Sequence, residues 1–269
     1  MKKTSMWTLA VIGLLLTTLL ISGCRGILVT RSGDTEPGEM ETRQFDFADF
    51  TNVDIGSAFS YEVIKSDAYS ISITAYGNLF DDISVTKEGQ TLKIDKEVPW
   101  TTFNIGFDRP KAVINMPQLH NLDSSGATNG VVSGFSSTDN LEITVSGASS
   151  VELMEIVAGG IYFDISGASD VAGVIEAKGI ALEVSGASSI NLDGEGGDID
   201  INASGASRLE LSELMVNDAD VMLSGASDCT LNMDGRLDID LSGASKLEYI
   251  GGPTLGEIDI SGASKIDRK

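Results

Sequence analysis

The chain has 269 residues but only one histidine, two cysteines and five prolines, with 18 Lys and Arg against 40 Asp and Glu. A single imidazole, His120, removes most metal sites and acid–base relays built on histidine. A formal charge of −22 argues against nucleic acid, whose phosphates require Lys and Arg, and against electrostatic docking on anionic lipid. Neither GxSxG, HExxH, a P-loop, paired CxxC motifs, an EF-hand loop nor the Ca²⁺-binding nonapeptide occurs. Arg208 and Arg236 sit in ordinary repeats without long loops. The sequence therefore predicts no catalysis and no cofactor.

A targeting segment comes first. Lys2 and Lys3 precede a mostly apolar run, Trp7 to Ile21, which ends in "LISGC". This is the pattern of a secretory signal, and the pentapeptide resembles the lipobox of bacterial lipoproteins. That resemblance implies a signal peptide over residues 1–23 and a diacylglyceryl thioether on Cys24. Cleavage there would leave 16 basic residues against 40 acidic ones. The membrane would then be held through acyl chains on Cys24. Arg25, and not Asp, follows the cysteine, which resembles the pattern released to the outer membrane in cells that have one. With Cys24 acylated, Cys229 has no mate and reads as a buried small hydrophobe. Residues 24–44, polar and with mixed charge, read as a tether.

The rest alternates apolar and polar residues at period two, with Gly, Asn, Asp and Pro at the turns, so it is all-β. Residues 45–122 form an N-terminal all-β section of first rungs or a cap; residues 123–269 repeat. SGAS or a near copy recurs eight times, with glycines at Gly126, Gly147, Gly167, Gly186, Gly205, Gly225, Gly243 and Gly262. From the second tetrad onward apolar residues fall at the first, third and fifth positions before the corner, as in Leu141, Ile143 and Val145, and the last copy keeps Ile258 and Ile260 but begins with Gly256. A second short apolar alternation follows each tetrad, and the Val171–Val174 copy breaks register as a bulge would. A self-similar unit of 19–20 residues with two strands and a looser third side predicts a β-solenoid.

A serine between small residues can be a nucleophile, but eight of them cannot share one histidine. The tetrads are corners. Their glycines permit positive φ, the alanines are small enough to point into a crowded corner, and the serines can bond turn backbone.

From about Phe45 to Lys269 the chain resembles the putative auto-transporter adhesin, head GIN domain family. The likeness rests on "VDIGSAFSYEVI", "YSISITAYGNLFDDISV", "GQTLKI", "AVINMPQLHNLDSSGATNG" and the run of SGAS corners. The family implies a right-handed parallel β-helix at the cell surface, and it supplies no catalytic residues.

Outward positions of the repeated strand form two columns, Glu142, Tyr162, Ala181, Asp200, Asp220, Asp238, Glu257 and Thr144, Asp164, Glu183, Asn202, Met222, Asp240, Asp259. Asp238, Asp240, Glu257 and Asp259 form the best candidate cation patch, with Ca²⁺ as the ion that carboxylates would share. The plainer reading is a charged face that prevents sheet pairing. Trp100, Phe103 and Phe107 read as an end plug, with sugar stacking as the alternative, and His120 as a surface or cap residue.

Together these features predict an extracytoplasmic, lipid-anchored β-helix protein that acts as an adhesin or envelope scaffold. Its partner would be a surface glycan or protein, and nucleic acid is not expected. The alternatives are a carbohydrate-active β-helix enzyme and a cation-binding envelope protein.

Overall fold

The structure, a computed structural model, describes residues 38–97 and 109–269. Cys24, the residues 1–23 that the sequence reads as a signal peptide, and the aromatic residues Trp100, Phe103 and Phe107 lie outside them. The N-terminal section contributes β1 (Met40–Phe45), β2 (Asn52–Ile55), β3 (Ser60–Lys65), β4 (Ser70–Tyr76), β5 (Ile83–Glu88), β6 (Thr91–Lys96), β7 (Lys111–Met116), β8 (Asn121–Ser124) and β9 (Asn129–Ser133). The repeats contribute β10 (Leu141–Val145), β11 (Ser150–Ala158), β12 (Ile161–Ile165), β13 (Asp170–Val184), β14 (Ser189–Ala203) and β15 (Arg208–Val216). They continue with β16 (Ala219–Leu223), β17 (Asp228–Met233), β18 (Arg236–Leu241), β19 (Lys246–Ile250), β20 (Thr254–Ile260) and β21 (Lys265–Arg268).

Two stacks of strands meet at the corners. Before the corner, β6, β2, β8, β10 and β12 pair in parallel, then the second half of β13, the second half of β14, β16, β18 and β20. After the corner the parallel order is β7, β3, β9, β11, the first halves of β13 and β14, β15, β17, β19 and β21. This is the parallel β-solenoid that the repeats predict.

Period-two alternation places the buried residues. Leu141, Ile143 and Val145 face inward, as do Ile161, Phe163, Ile165 and their equivalents through Leu241. Full burial of such a side chain stabilises by about 1.5–3 kcal/mol relative to exposure. The same column after the corner runs Ala112, Tyr61, Gly130, Val151, Val171, Ile190, Leu209, Cys229, Leu247. Cys229 is buried in it, and burial pushes its thiol pKa up to about 12.

All eight corner glycines have φ between 69° and 82°. At Gly186 an added Cβ would lie 2.3 Å from the Gly167 carbonyl oxygen below it, so both conformation and stacking demand glycine. The stacking is tight because the ladder continues through the corner, with the Ala187 N–H donating to the Gly167 carbonyl at 2.8 Å. One expectation is corrected here. The alanines of the repeat corners, such as Ala148 and Ala168, are exposed, and the fourth residue turns inward instead. Ser149, Ser169, Ser188, Ser207, Ser227 and Ser245 are buried, each hydroxyl donating to the carbonyl of the first serine of its own corner. A hydroxyl can enter the core because that bond satisfies it.

Three other expectations change in detail. The register break opposite Val171–Val174 belongs to β11, where Met154 and Glu155 bulge and Glu155 takes φ 57°. Strand structure begins at Met40, inside the stretch read as tether. Residues 45–122 are built into the same stack: β2 and β3 lie between the β6–β7 level and the β8–β9 level, out of chain order. β4 then runs antiparallel to β7, β1 antiparallel to β4, and β5 antiparallel to β6, which covers this end.

Candidate functional site

Stacked rungs fix the spacing of whatever points outward. Along one column Glu142, Tyr162, Ala181, Asp200, Asp220 and Asp238 are direct register partners. Along the other, Asp54, Asp123, Thr144, Asp164, Glu183, Asn202, Met222, Asp240 and Asp259 follow one another. Neighbours in such a ladder lie about 4.8 Å apart. Asp54 and Asp123 were not placed in this ladder by the repeats, although the alternation of "VDI" and "LDS" before the first two corners carries the signal.

Like charges at this spacing disfavour ionisation. Asp220 has its carboxyl pKa raised, first by partial burial and then by Asp200, Asp238 and Asp240. Asp123 is raised by burial and Asp54, with Lys93 opposing. Tyr162, 39 % exposed, is raised by burial and by Asp164, Glu183 and Glu142. Local bonds relieve part of the load: the Asn202 side chain donates to Glu183 at 3.0 Å, and Lys93 pairs with Asp54 at 3.2 Å.

The four carboxylates of the candidate cation patch do not act as one group. Arg236 donates to both oxygens of Asp238, at 2.6 and 2.7 Å, and the Glu257 N–H adds a third bond at 2.6 Å. These bonds hold the Asp238 carboxyl below its usual pKa. An extra residue in β20 moves Glu257 out of the column, and Asp240 and Asp259 remain as register partners. Among the described residues no cluster of three or more His, Cys, Asp or Glu is arranged to hold a metal ion. His120 anchors its turn through its N–H to the Thr51 carbonyl, with Nε2 3.6 Å from Asp139.

The third side has its own relief. A shallow hollow of about 240 Å³ opens between Glu155, Val174, Glu176 and Glu195, and a second of about 240 Å³ adjoins it over Thr138, Lys178 and Gly197. "DGEGGD" places Gly194, Gly196 and Gly197 at this level, where an added Cβ would run into Ile175, Ile180 and Lys178 of the neighbouring strand, so the glycines permit the close approach of the two backbones. Met154, Val174 and Met215 are exposed on the same side. No helix among the described residues is long and apolar enough to cross a membrane.

Residues 49–253 match the family described as putative auto-transporter adhesin, head GIN domain, and the chain belongs to that family. A putative adhesin from Parabacteroides merdae has a similar structure, at 15% identity and TM-score 0.76, over 86% of this chain and 97% of its own. A putative adhesin from Parabacteroides distasonis is similar at 18% identity and TM-score 0.77, over 86% and 98%. A putative lipid binding protein from the same species is similar at 22% identity and TM-score 0.74, over 86% and 97%. These likenesses are of fold. No curated protein matches the chain.

Proposed function

We propose that this member of the adhesin-head family is a passive, extracytoplasmic interaction protein, held to the cell envelope by acyl chains on Cys24. It would present its outward ladders to a surface glycan or protein. The observation that carries this reading is the unbroken register of those ladders from Asp54 to Asp259. A face that repeats at fixed spacing suits many weak contacts made at once, whose strength comes from effective concentration and not from one deep site. Its negative charge selects basic or neutral partners and repels nucleic acid.

The alternative is a carbohydrate-active β-helix, and one feature favours it: Glu176 and Glu195 are register partners beside the third-side hollows. Paired carboxylates are the minimum for glycoside hydrolysis. One experiment separates the two. The chain is incubated with neutral and acidic polysaccharides, with Ca²⁺ and with chelator, and both co-sedimentation and new chain ends are read. Binding without new ends is the expected outcome. New ends that disappear in Glu176→Gln or Glu195→Gln would replace the adhesin reading with the enzyme. Binding that requires Ca²⁺ would add a cation to the interface. Labelling of the chain by a radioactive fatty acid, lost in Cys24→Ser, tests the anchor.

A further inference from the structure

The third side of the stack is built unlike the two faces that meet at the corners. β13 and β14 run unbroken across it, and its outward residues mix aliphatic and acidic side chains. One column of register partners reads Val157, Glu176, Glu195, Met215, so two stacked glutamates are closed at each end by an aliphatic residue. Beside them Val174 faces the bulged Met154 and Glu155 of β11. Met154, Val174 and Met215 are 48, 50 and 44 % exposed. The first hollow opens among these residues over the buried Ile156 and Ile175, and the second continues past Glu176 and Glu195 to Lys178.

The glutamates of this groove lack the relief found elsewhere in the repeats. Asp228, Asp238 and Glu248 pair with Arg208, Arg236 and Lys246, but Glu155, Glu176 and Glu195 have no ion pair or side-chain hydrogen bond among the described residues. A compact cation does not match them, because no three carboxylates among the described residues are arranged to hold a metal ion. A guanidinium does. Carboxylates stacked about 4.8 Å apart can each take part of its planar fork. Its weak hydration tolerates aliphatic neighbours, and its methylene stem covers apolar surface. Lys178 adds a direction. Val174, Glu176 and Lys178 point outward from one strand at intervals of about 7 Å, so the groove reads apolar, negative, positive. An extended polypeptide has the same period. Its complement carries an aliphatic residue, an arginine and a carboxylate at alternate positions.

We propose that the third side between β11 and β15 docks an extended, arginine-bearing segment of a partner protein. The guanidinium lies across Glu176 and Glu195, an aliphatic side chain rests on Val174, and a carboxylate reaches Lys178. This contact is separate from the acidic ladders and does not rest on what they bind. The ladders attract positive charge in any order, whereas the groove demands one order of apolar, basic and acidic groups. That order is what distinguishes docking here from attraction to an acidic surface.

The probe is the peptide Ser-Leu-Ser-Arg-Ser-Asp-Ser, blocked at both ends and carrying a neutral fluorophore, so its net charge is zero. Its anisotropy is followed as the full chain with Cys24→Ser is added in mild detergent. Saturable binding is expected, with a Kd below about 1 mM. Glu176→Gln/Glu195→Gln should raise that Kd about tenfold with an unchanged far-ultraviolet β signature. Asp170→Asn/Glu210→Gln, which removes as many charges from the face after the corner, should leave it unchanged. Lysine in place of the peptide's arginine should weaken binding about threefold or more, and exchange of its arginine and aspartate should abolish it. No saturable signal at about 1 mM chain would overturn the proposal. Equal binding of the exchanged or the lysine peptide, or equal loss in the two double variants, would also overturn it, by reducing the contact to bulk charge. A neutral polysaccharide that displaces the peptide would assign the groove to a glycan instead.

Discussion

At its corner between β2 and β3 the N-terminal section carries Gly56-Ser57-Ala58-Phe59, where the repeats carry Ser-Gly-Ala-Ser. Continuing the β2–β8 register places Ser57 on Gly126 and Phe59 on Thr128. Ser57 and Ala58 both take positive φ, 55° and 62°, and the next corner keeps that double turn at Gly126 and Ala127. Later corners have only the glycine there. Phe59 is wholly buried where the repeats bury a serine hydroxyl. The N-terminal core holds Phe50, Phe59, Tyr61 and Phe80, while from Leu141 onward Phe163 is the one aromatic residue among the buried side chains. A repeat residue is constrained by an identical neighbour above and below, so one solution propagates. A residue near the antiparallel cap answers to a different partner on each side, and its sequence diverges accordingly.

The largest expected effect tests how strictly the repeats depend on that shared solution. In Gly186→Val the new Cβ would sit 2.3 Å from the Gly167 oxygen, on a backbone with φ 79°. Neither strand can move away, because the ladder is bonded on both sides of the corner, through Ala187 N–H to Gly167 and Ala206 N–H to Gly186. A loss above about 4 kcal/mol follows, read as a collapse of the urea midpoint or failure to accumulate soluble chain. A loss below 1 kcal/mol would mean that the corners are not stacked as tightly as these contacts require.

A second change would convert the divergent section toward the repeats. Tyr61 is flanked in its column by Ala112 and Gly130, and an added Cβ at Gly130 would meet its ring 1.9 Å away. Size is traded between levels: one large residue between two small ones occupies what Val151 and Val171 fill evenly above. Gly130→Val alone should cost about 1–3 kcal/mol by overpacking, and Tyr61→Val alone should cost a similar amount or more by leaving a cavity. Together they should cost less than the sum by about 1–2 kcal/mol, the coupling expected of residues in contact. Simple additivity in urea unfolding would show that the column does not trade volume.

This trade explains what the sequence could and could not convey. The inward triplets Leu141, Ile143, Val145 and their successors were legible because period-two alternation repeats seven times and needs no knowledge of partners. The glycine corners were legible for the same reason. Chain order concealed that β2 and β3 sit between β6–β7 and β8–β9, because threading one level between two later ones leaves no periodic trace. The inward turn of the fourth corner residue was hidden too: Ser149 and Ser146 are the same residue type, and only the hydrogen bond between them distinguishes the buried one. At the site, the outward ladders could be written down from the repeats. The departure of Glu257 from its column could not, since it depends on the extra residue that β20 carries opposite Asp238.

The smallest effect concerns the ladder itself, where the repeats stack charge that the N-terminal section neutralises with Lys93 on Asp54. Asp220 has its folded pKa raised above the ordinary aspartate value, by burial first and then by Asp200, Asp238 and Asp240. Near neutrality the carboxylate is ionised in both states and the folded state bears the penalty. As pH falls toward about 4 the folded state binds that proton first, so the penalty fades; as pH rises through the folded pKa it returns. Asp238 has the opposite sign, since Arg236 lowers its pKa and its stabilisation is lost as pH falls through the folded value. Asp220→Asn should therefore raise Tm at pH 7 by the order of 1 °C, with the gain shrinking toward pH 4 and in high salt. Asp238→Asn should lower Tm at pH 7, with the difference fading in acid. A thermal melt series over pH and salt reads both at once. If Asp220→Asn lowers Tm at neutral pH, the stacked carboxylates are not under repulsive load, and the acidic ladder must be held by cations gathered along it.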